Sequence, residues 1–346
     1  MPVVRAAQVI AYGQPIELVE VPEPAISDPH DVLVRIAGAG ICRTDLHILG
    51  GELAAAFGPR LPYTLGHENA GWVHEVGPAV SHLAPGDPVI VHPAVTCGVC
   101  SPCRAGVDMH CPSWRFPGVD GWDGGYGELL RTSARALVKL PAGTDPAPLA
   151  PHADAGLTAI HAIKRLVPFL HPGSTVVMIG AGGLGHLAIQ LLRIYTPARI
   201  VVLDNDPGRE AFARSFGPDA VHMTGADGGV GSVLEETGGH GADAVLDLVG
   251  EHGVPVAAMR MLRKGGVYSI VGYGGRVEIE HLDMINRELT ILGNQIGSYT
   301  DLVDLMDLAV RGRLRLETER FPLDDVADVL RDVDAGRILG RAVLVP

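Results

Sequence analysis

A buried strand that runs directly into a glycine-rich turn and then a helix is the feature that most restricts how this chain can fold. It spans residues 175–195, TVVMIGAGGLGHLAIQLLRIY. Gly180 makes the turn, Gly182 lets the backbone approach a pyrophosphate, and Gly185 allows the helix to pack on the strand. A bare glycine pattern is weak evidence, but its position between strand and helix predicts a dinucleotide site. The turn residues expected at that site are Gly180, Gly182, Gly183, Leu184 and Gly185.

An acidic residue at the end of the next apolar segment indicates which dinucleotide is bound. Asp204 lies nineteen residues beyond Gly185, where a carboxylate can accept hydrogen bonds from the adenosine ribose hydroxyls. Asp204 would repel the 2′-phosphate of NADP, and Arg209 is the cation that follows it closely. We therefore expect NAD, with Asp204 and Arg209 among the residues that bind it.

The lengths and spacing of the apolar segments predict an α/β chain of two domains. The first 150 or so residues are rich in glycine and proline, and their short apolar segments predict a compact sheet or barrel. From about residue 154, buried strands alternate with helix-length stretches, which is typical of a parallel sheet covered on both faces. The strand segments of this second half are 175–180, 199–204, 244–250, 266–272 and 290–295. Periodicity predicts helices at 300–312 and 323–336 and a strand at 341–346, but does not place them.

The charge balance excludes several kinds of partner. The chain has 40 acidic and 27 basic residues, a net charge of −13, and no local run of Lys and Arg, so we expect no nucleic-acid partner. No apolar run is long enough to span a bilayer, and the N-terminal residues lack the features of a secretory signal. We expect a cytoplasmic protein without a membrane partner.

Four of the five cysteines lie in one short run, CGVCSPCRAGVDMHC at 97–111. Four thiolates on one loop can complete a tetrahedron around zinc and leave no open position, which indicates a structural role. An iron–sulfur cluster also uses four cysteines, but no second cluster motif with a flanking proline follows. The structural zinc ligands predicted here are Cys97, Cys100, Cys103 and Cys111.

The remaining cysteine, Cys42, and His67 suggest a second zinc site of the catalytic type, which has three protein ligands and one open position. Since the other thiols are committed, the third ligand must offer nitrogen or oxygen. Asp154, His152 and Glu68 are all candidates, and spacing does not choose among them.

With these motifs the chain resembles the zinc-dependent medium-chain alcohol dehydrogenases over essentially its whole length. The motifs that carry the resemblance are GICRTDLH, TLGHENAGWV, the four-cysteine run, DAGLTAIHA, VMIGAGGLGH followed by Asp204, and the terminal GRAVLVP. The family fold implies a discontinuous, β-rich, GroES-like catalytic domain, residues 1–154 with 296–346. This domain would enclose a Rossmann domain at residues 155–295.

The resemblance also implies the ligands of the catalytic zinc, namely Cys42, His67 and Asp154. Many relatives have cysteine in the place of Asp154. In having an aspartate there, the chain resembles a bacterial branch of the family that uses NAD and secondary alcohols. Glu68 would be a transient ligand or a residue just outside the ligand set. Asp45 would orient His67 by accepting the second ring N–H, as is usual for a metal-bound imidazole.

Four further roles follow from the resemblance. The hydroxyl of Thr44 would start a proton relay that runs through the nicotinamide ribose to His47. Arg43 and Arg341 match positions that contact the pyrophosphate, a role suited to the planar guanidinium.

The sequence therefore predicts a zinc-dependent alcohol dehydrogenase with two zinc ions per chain. Hydride would pass between NAD and a small alcohol, secondary or aromatic, or the matching ketone or aldehyde. A polyol or sugar dehydrogenase of the same family is the main alternative, and a structural zinc protein without turnover is another. The two predicted zinc sites argue against a zinc-free quinone or enoyl reductase of the same superfamily. Family habit suggests a homo-oligomer, with a tetramer favoured over a dimer.

Overall fold

Short apolar and β-branched runs, interrupted by glycine and proline, form strands in the first 150 residues because such side chains pack well on a pleated surface. The computed structural model describes residues 2–57 and 60–346. The strands of this part are β1 (Val3–Val9), β2 (Glu17–Pro22), β3 (Asp31–Gly40), β4 (Tyr63–Thr64), β5 (Glu68–Val76), β6 (Pro88–Val91), β7 (Leu129–Ser133) and β8 (Leu137–Lys139). The helices are α1 (Arg43–Gly50), α2 (Ala54–Phe57) and α3 (Ser101–Arg104), with 3-10 turns at Asp108–His110, Ala134–Ala136 and Ala147–Ala153.

The middle of the chain alternates strand and helix as its apolar rhythm predicts. Its elements are α4 (Ala155–Leu166), β9 (Thr175–Ile179), α5 (Gly185–Tyr195), β10 (Arg199–Asp204), α6 (Glu210–Arg214), β11 (Ala220–Met223), α7 (Val230–Glu236), β12 (Ala242–Asp247), α8 (Val254–Met261), β13 (Leu262–Ile270), α9 (His281–Arg287) and β14 (Thr290–Gly293), with 3-10 turns at Val167–Phe169 and Pro207–Arg209. All neighbouring strands pair in parallel, in the order β11-β10-β9-β12-β13-β14. The direction of winding reverses between β9 and β12, which is where ligands bind in such sheets.

The tail returns to the β-rich part of the chain. It contains α10 (Tyr299–Val310), β15 (Thr318–Pro322), the 3-10 turn Leu323–Asp325, α11 (Val326–Asp334) and β16 (Arg341–Val345). Strand β16 pairs antiparallel with β3 and parallel with β15, so the tail completes a seven-stranded sheet in the order β15-β16-β3-β5-β6-β8, with β7 also on β3. The predicted fold class, a β-rich domain with a doubly wound parallel sheet, is confirmed.

The described chain divides into two units, Met1–Leu157 with Ser298–Pro346 and Thr158–Gly297. Helix α11 shows how the tail is held in the first unit: Val326, Val329 and Leu330 lie on one helical face and join the buried cluster of β1, β3 and β5. Burial of each such side chain contributes about 1.5 to 3 kcal/mol. No helix within residues 2–57 and 60–346 is long and apolar enough to cross a membrane.

Candidate zinc and dinucleotide sites

Three side chains from separate parts of the first unit lie close together. Cys42 precedes α1, His67 precedes β5, and Asp154 follows the 3-10 turn Ala147–Ala153. Asp154 Oδ2 lies 3.6 Å from Cys42 Sγ and 3.5 Å from His67 Nε2, and one ligand atom of each residue lies within 4.8 Å of the others. A thiolate, an imidazole and a carboxylate at such spacing match a catalytic zinc site with one open position. Of the three candidates for the third ligand that the sequence left open, the structure thus groups Asp154 with Cys42 and His67.

The chain leading into His67 is fixed by glycine and tyrosine. Gly66 has a φ of +98°, and a Cβ there would lie 2.3 Å from the ring of Tyr126, so this turn requires glycine. The Tyr126 hydroxyl donates to Asp45 Oδ2 at 2.6 Å. No sequence pattern indicated Tyr126, which is fully buried.

Asp45 connects the start of α1 to the histidine. Its Oδ2 accepts the Cys42 amide at 2.9 Å, and its Oδ1 lies 3.3 Å from His67 Nδ1. Burial lowers the pKa of His67, but the carboxylates of Asp45 and Asp154 outweigh burial and raise that pKa well above its usual value. Because Nδ1 faces Asp45, the other ring nitrogen faces the thiol and Asp154, the orientation that metal-bound histidines adopt.

Glu68 and Arg341 form a buried ion pair beside the three-residue cluster. Glu68 Oε1 accepts from the Arg341 guanidinium and, at 3.2 Å, from the amide of Ala155. Burial raises the pKa of Glu68 to about 7, although the positive charge of Arg341 opposes the shift. Arg341 is only 6% exposed and lies against Glu68, while its predicted contact with a pyrophosphate stays a prediction.

Helix α1 carries the residues predicted for proton transfer. Thr44 and His47 are three positions apart, so they share one helical face, whereas Arg43 is exposed at the first position. His47 Nδ1 contacts the carboxylate of Glu52, a residue that the sequence did not single out. The Glu52 carboxylate at Nδ1 therefore fixes the orientation of this imidazole on α1.

The four-cysteine run folds into a compact loop around α3. The four thiols are free of disulfides, and their sulfur atoms lie within 4.8 Å of one another. Cys100 Sγ is 3.3 Å from Cys103 Sγ, and Cys97 Sγ is 4.0 Å from Cys103 Sγ. Backbone amides of Val99 and Cys100 lower the pKa of Cys97 to about 6, so one thiolate is available at neutral pH. This all-sulfur donor set suits a closed tetrahedral zinc site.

The glycine turn between β9 and α5 has the shape that a pyrophosphate needs. Gly180 has a φ of +99°, and a Cβ on Gly185 would lie 2.1 Å from the Gly180 carbonyl oxygen, so the strand and helix approach through glycine alone. A Cβ on Gly182 would meet only the Arg209 guanidinium, at 3.4 Å from Nη1 and 3.9 Å from Cζ. The backbone at Gly182 therefore remains open to a ligand.

Asp204 stands at the carboxyl end of β10 beside this turn. Its Oδ2 accepts the amide of Ala181 at 2.6 Å, and its Oδ1 accepts the amide of Asp206 at 2.9 Å. Each carboxylate oxygen retains a further lone pair, which ribose hydroxyls can use. Arg209 Nη1 lies 4.0 Å from Asp204 Oδ2. The structure thus brings the predicted turn residues, Asp204 and Arg209 together.

Comparison with known proteins identifies the domains of this chain and its relatives. Residues 28–142 match the alcohol dehydrogenase GroES-like domain, and residues 183–311 match the zinc-binding dehydrogenase domain. The chain is 36% identical to a D-arabinose 1-dehydrogenase (NADP(+)) of Saccharolobus solfataricus, over 99% of this chain and 97% of that protein. It is 32% identical to an NAD-dependent alcohol dehydrogenase of Sulfurisphaera tokodaii, over 99% of this chain and all of the other.

A solved structure of an alcohol dehydrogenase has a similar fold. The crystal structure of the alcohol dehydrogenase from Aeropyrum pernix matches this fold with a TM-score of 0.96 and 42% identity, over 99% of this chain and 100% of that one. The chain belongs to the zinc-dependent medium-chain alcohol dehydrogenase family. It is an oxidoreductase of that family, as the sequence predicted, while the bacterial secondary-alcohol branch within it stays a prediction.

Proposed function

We propose that this enzyme passes hydride between NAD and a small secondary or aromatic alcohol, or the corresponding ketone or aldehyde. The observation that carries the proposal is the meeting of Cys42, His67 and Asp154, whose ligand atoms lie within 4.8 Å of one another. This donor set fits a catalytic zinc ion, which when bound supplies Lewis-acid polarisation of the substrate oxygen.

A second zinc ion belongs to the four-cysteine loop, giving two per chain. Its support is the all-sulfur donor set and the pKa of about 6 at Cys97, which favours a thiolate at neutral pH. With four protein ligands this site has no open position, so its role is to hold the loop in shape.

Residues of the chain orient the ligand cluster and carry the proton of the substrate. Asp45 orients His67, and Arg341 holds Glu68 by its carboxylate beside the ligand cluster. The Thr44 hydroxyl takes up the proton from the substrate oxygen as it releases its own proton into the relay, and the His47 imidazole takes up a proton at the far end of the relay and releases one to solvent. The Glu52 carboxylate at His47 Nδ1 stabilises the imidazolium that forms in this step.

NAD binding is proposed for the turn between β9 and α5. The open backbone at Gly182 supports a pyrophosphate contact, and Asp204 supports ribose recognition without a 2′-phosphate. Gly180, Gly183, Leu184 and Gly185 complete that loop. Arg43 and Arg341 are proposed to contact the pyrophosphate. On the family resemblance, a cytoplasmic homotetramer is proposed.

A sugar or polyol substrate is the second candidate. Its support is the 36% identity with the D-arabinose 1-dehydrogenase of Saccharolobus solfataricus. A sugar needs several polar partners in the pocket, whereas a simple secondary alcohol needs mainly apolar walls.

One panel of assays tests the proposal. The purified enzyme is given secondary, primary, aromatic and polyhydroxy alcohols with NAD and NADP in parallel, and reduced cofactor is followed by its absorbance. Turnover of simple secondary or aromatic alcohols with NAD is the expected result. Turnover of polyols alone would establish the second candidate, and turnover with NADP alone would contradict the cofactor assignment.

A further inference from the structure

A surface guanidinium lies between two carboxylates at the edge of the glycine turn. Arg209 Nε is 3.4 Å from Asp206 Oδ2, and Arg209 Nη1 is 4.0 Å from Asp204 Oδ2. The same Nη1 would be 3.4 Å from a Cβ placed on Gly182. Arg209 therefore lies beside the backbone of the turn proposed to bind NAD, but its positive charge is already shared by two acids.

The position of Asp206 is set by the backbone around it. Its amide donates to Asp204 Oδ1 at 2.9 Å, and its own Oδ1 accepts the amide of Gly208 at 2.9 Å. Asp206 thus begins the short 3-10 turn Pro207–Arg209, as acidic residues commonly do. Its Oδ2 is left for Arg209, so the turn fixes the carboxylate beside the guanidinium.

Charge decides which dinucleotide this arrangement accepts. Two carboxylates and one guanidinium leave one net negative charge, whereas a 2′-phosphate adds further negative charge at the same place. A free guanidinium is well suited to bind phosphate through its planar donor fork. In this chain Asp206 pairs with the guanidinium at Nε and Asp204 lies near Nη1, so the positive charge of Arg209 is already compensated before a phosphate arrives.

We propose that Asp206 is a specificity-determining residue, which excludes NADP by engaging Arg209. The inference rests on the proposed binding of NAD at this turn and adds a second acid to the role expected of Asp204. Removing the charge of Asp206 releases Arg209 to pair with a 2′-phosphate, while Asp204 still receives the ribose hydroxyls of NAD.

The variant Asp206→Asn tests this inference by direct binding. Asparagine keeps an oxygen for the Gly208 amide but carries no charge. NADH and NADPH are titrated into the purified protein without substrate, and binding is read from the fluorescence of the reduced nicotinamide. We expect the dissociation constant for NADPH to fall about tenfold, the effect of one new charge-assisted contact, with that for NADH changed less than about threefold.

Two further variants separate this mechanism from a general effect of charge. In Asp206→Asn/Arg209→Gln the gain for NADPH should disappear, because the released cation is gone. Asp283→Asn is the matched control, since Asp283 also pairs with an arginine, Arg287, at 3.4 Å in the same unit. It should leave both dissociation constants unchanged.

The possible outcomes distinguish failure of the role proposed for Asp206 from failure of the proposed NAD binding. Unchanged NADPH binding in Asp206→Asn, or a gain that persists in the double variant, would overturn the role of Asp206. Wild-type protein that binds NADPH as tightly as NADH would overturn it as well. Folded wild-type protein that binds neither nucleotide would overturn the proposed NAD function itself.

Discussion

The guanidinium of Arg341 contacts the carboxylate of Glu68, although the two residues stand 273 positions apart in the chain. Arg341 begins β16 and Glu68 begins β5, and both side chains are buried. The last strand is therefore connected by a buried ion pair to the residue that follows His67. This contact links the packing of the tail to the geometry of the candidate zinc site.

Breaking this pair should destabilise the enzyme. Arg341→Met leaves the Glu68 carboxylate buried without its partner, and we expect a loss of about 3 kcal/mol in the free energy of unfolding. Urea denaturation measures the loss, and Arg341→Met/Glu68→Gln should recover part of it because the uncompensated charge is gone. A single variant as stable as the wild type would show that the pair is not needed for the fold.

The ionisation of Glu68 should appear in the pH dependence of stability of the metal-free protein. The folded state holds the proton up to about pH 7, whereas the unfolded carboxyl releases it near 4.5, so stability falls as pH rises between these values. The penalty is absent below 4.5 and complete above 7. Glu68→Gln does not titrate, and its stability relative to wild type should rise across this range in urea denaturation. A constant difference would contradict the raised pKa.

The four-cysteine loop should lose its metal without loss of the other site. Cys97→Ser removes one thiolate, and we expect zinc content to fall by one ion per chain together with a lower melting temperature. Zinc retention by the wild-type loop should weaken as pH falls, because protons compete with the metal for the four thiolates. Metal analysis after dialysis against a chelator measures both effects. Retention of both ions by Cys97→Ser would exclude this residue as a ligand.

The glycine turn offers a matched pair of substitutions. Gly182→Ala meets only the end of Arg209 at 3.4 Å, so it should fold normally but bind NADH at least about tenfold more weakly, because the new methyl group occupies the pyrophosphate approach. Gly185→Ala meets the Gly180 carbonyl at 2.1 Å and should instead lower stability. Calorimetry and NADH titration of both proteins give the comparison. Equal NADH binding by Gly182→Ala and wild type would place the pyrophosphate elsewhere.

Features with local geometry could be predicted from the sequence. The strand, turn and helix of residues 175–195 follow directly from apolar runs and glycine positions, and the structure has β9 and α5 there. The four cysteines lie within one short loop, so their spacing alone indicates a shared site. The predicted helix at 323–336 is present as α11, but it begins with a 3-10 turn at Leu323–Asp325.

Features that depend on long-range contacts could not be predicted in the same way. Asp154 lies 112 positions from Cys42, and nothing in the spacing distinguishes it from His152 until the turn before it packs beside β5. Tyr126 and Glu52 belong to no motif, and their roles follow only from their contacts with Asp45 and His47. Strand β15, TERFP, is itself largely polar, is mostly exposed and has no clear alternation, so the sequence does not predict it.

Zinc content and turnover, measured on the same samples of wild type and Asp154→Ala, test the central claim most directly. The account predicts two zinc ions and alcohol-dependent reduction of NAD in the wild type. It predicts one zinc ion, no turnover and a still cooperatively folded protein in the variant, because Asp154 acts as a metal ligand at the edge of a cluster rather than as a core residue. An Asp154→Ala enzyme with full activity and both zinc ions would contradict the assignment of the catalytic zinc site.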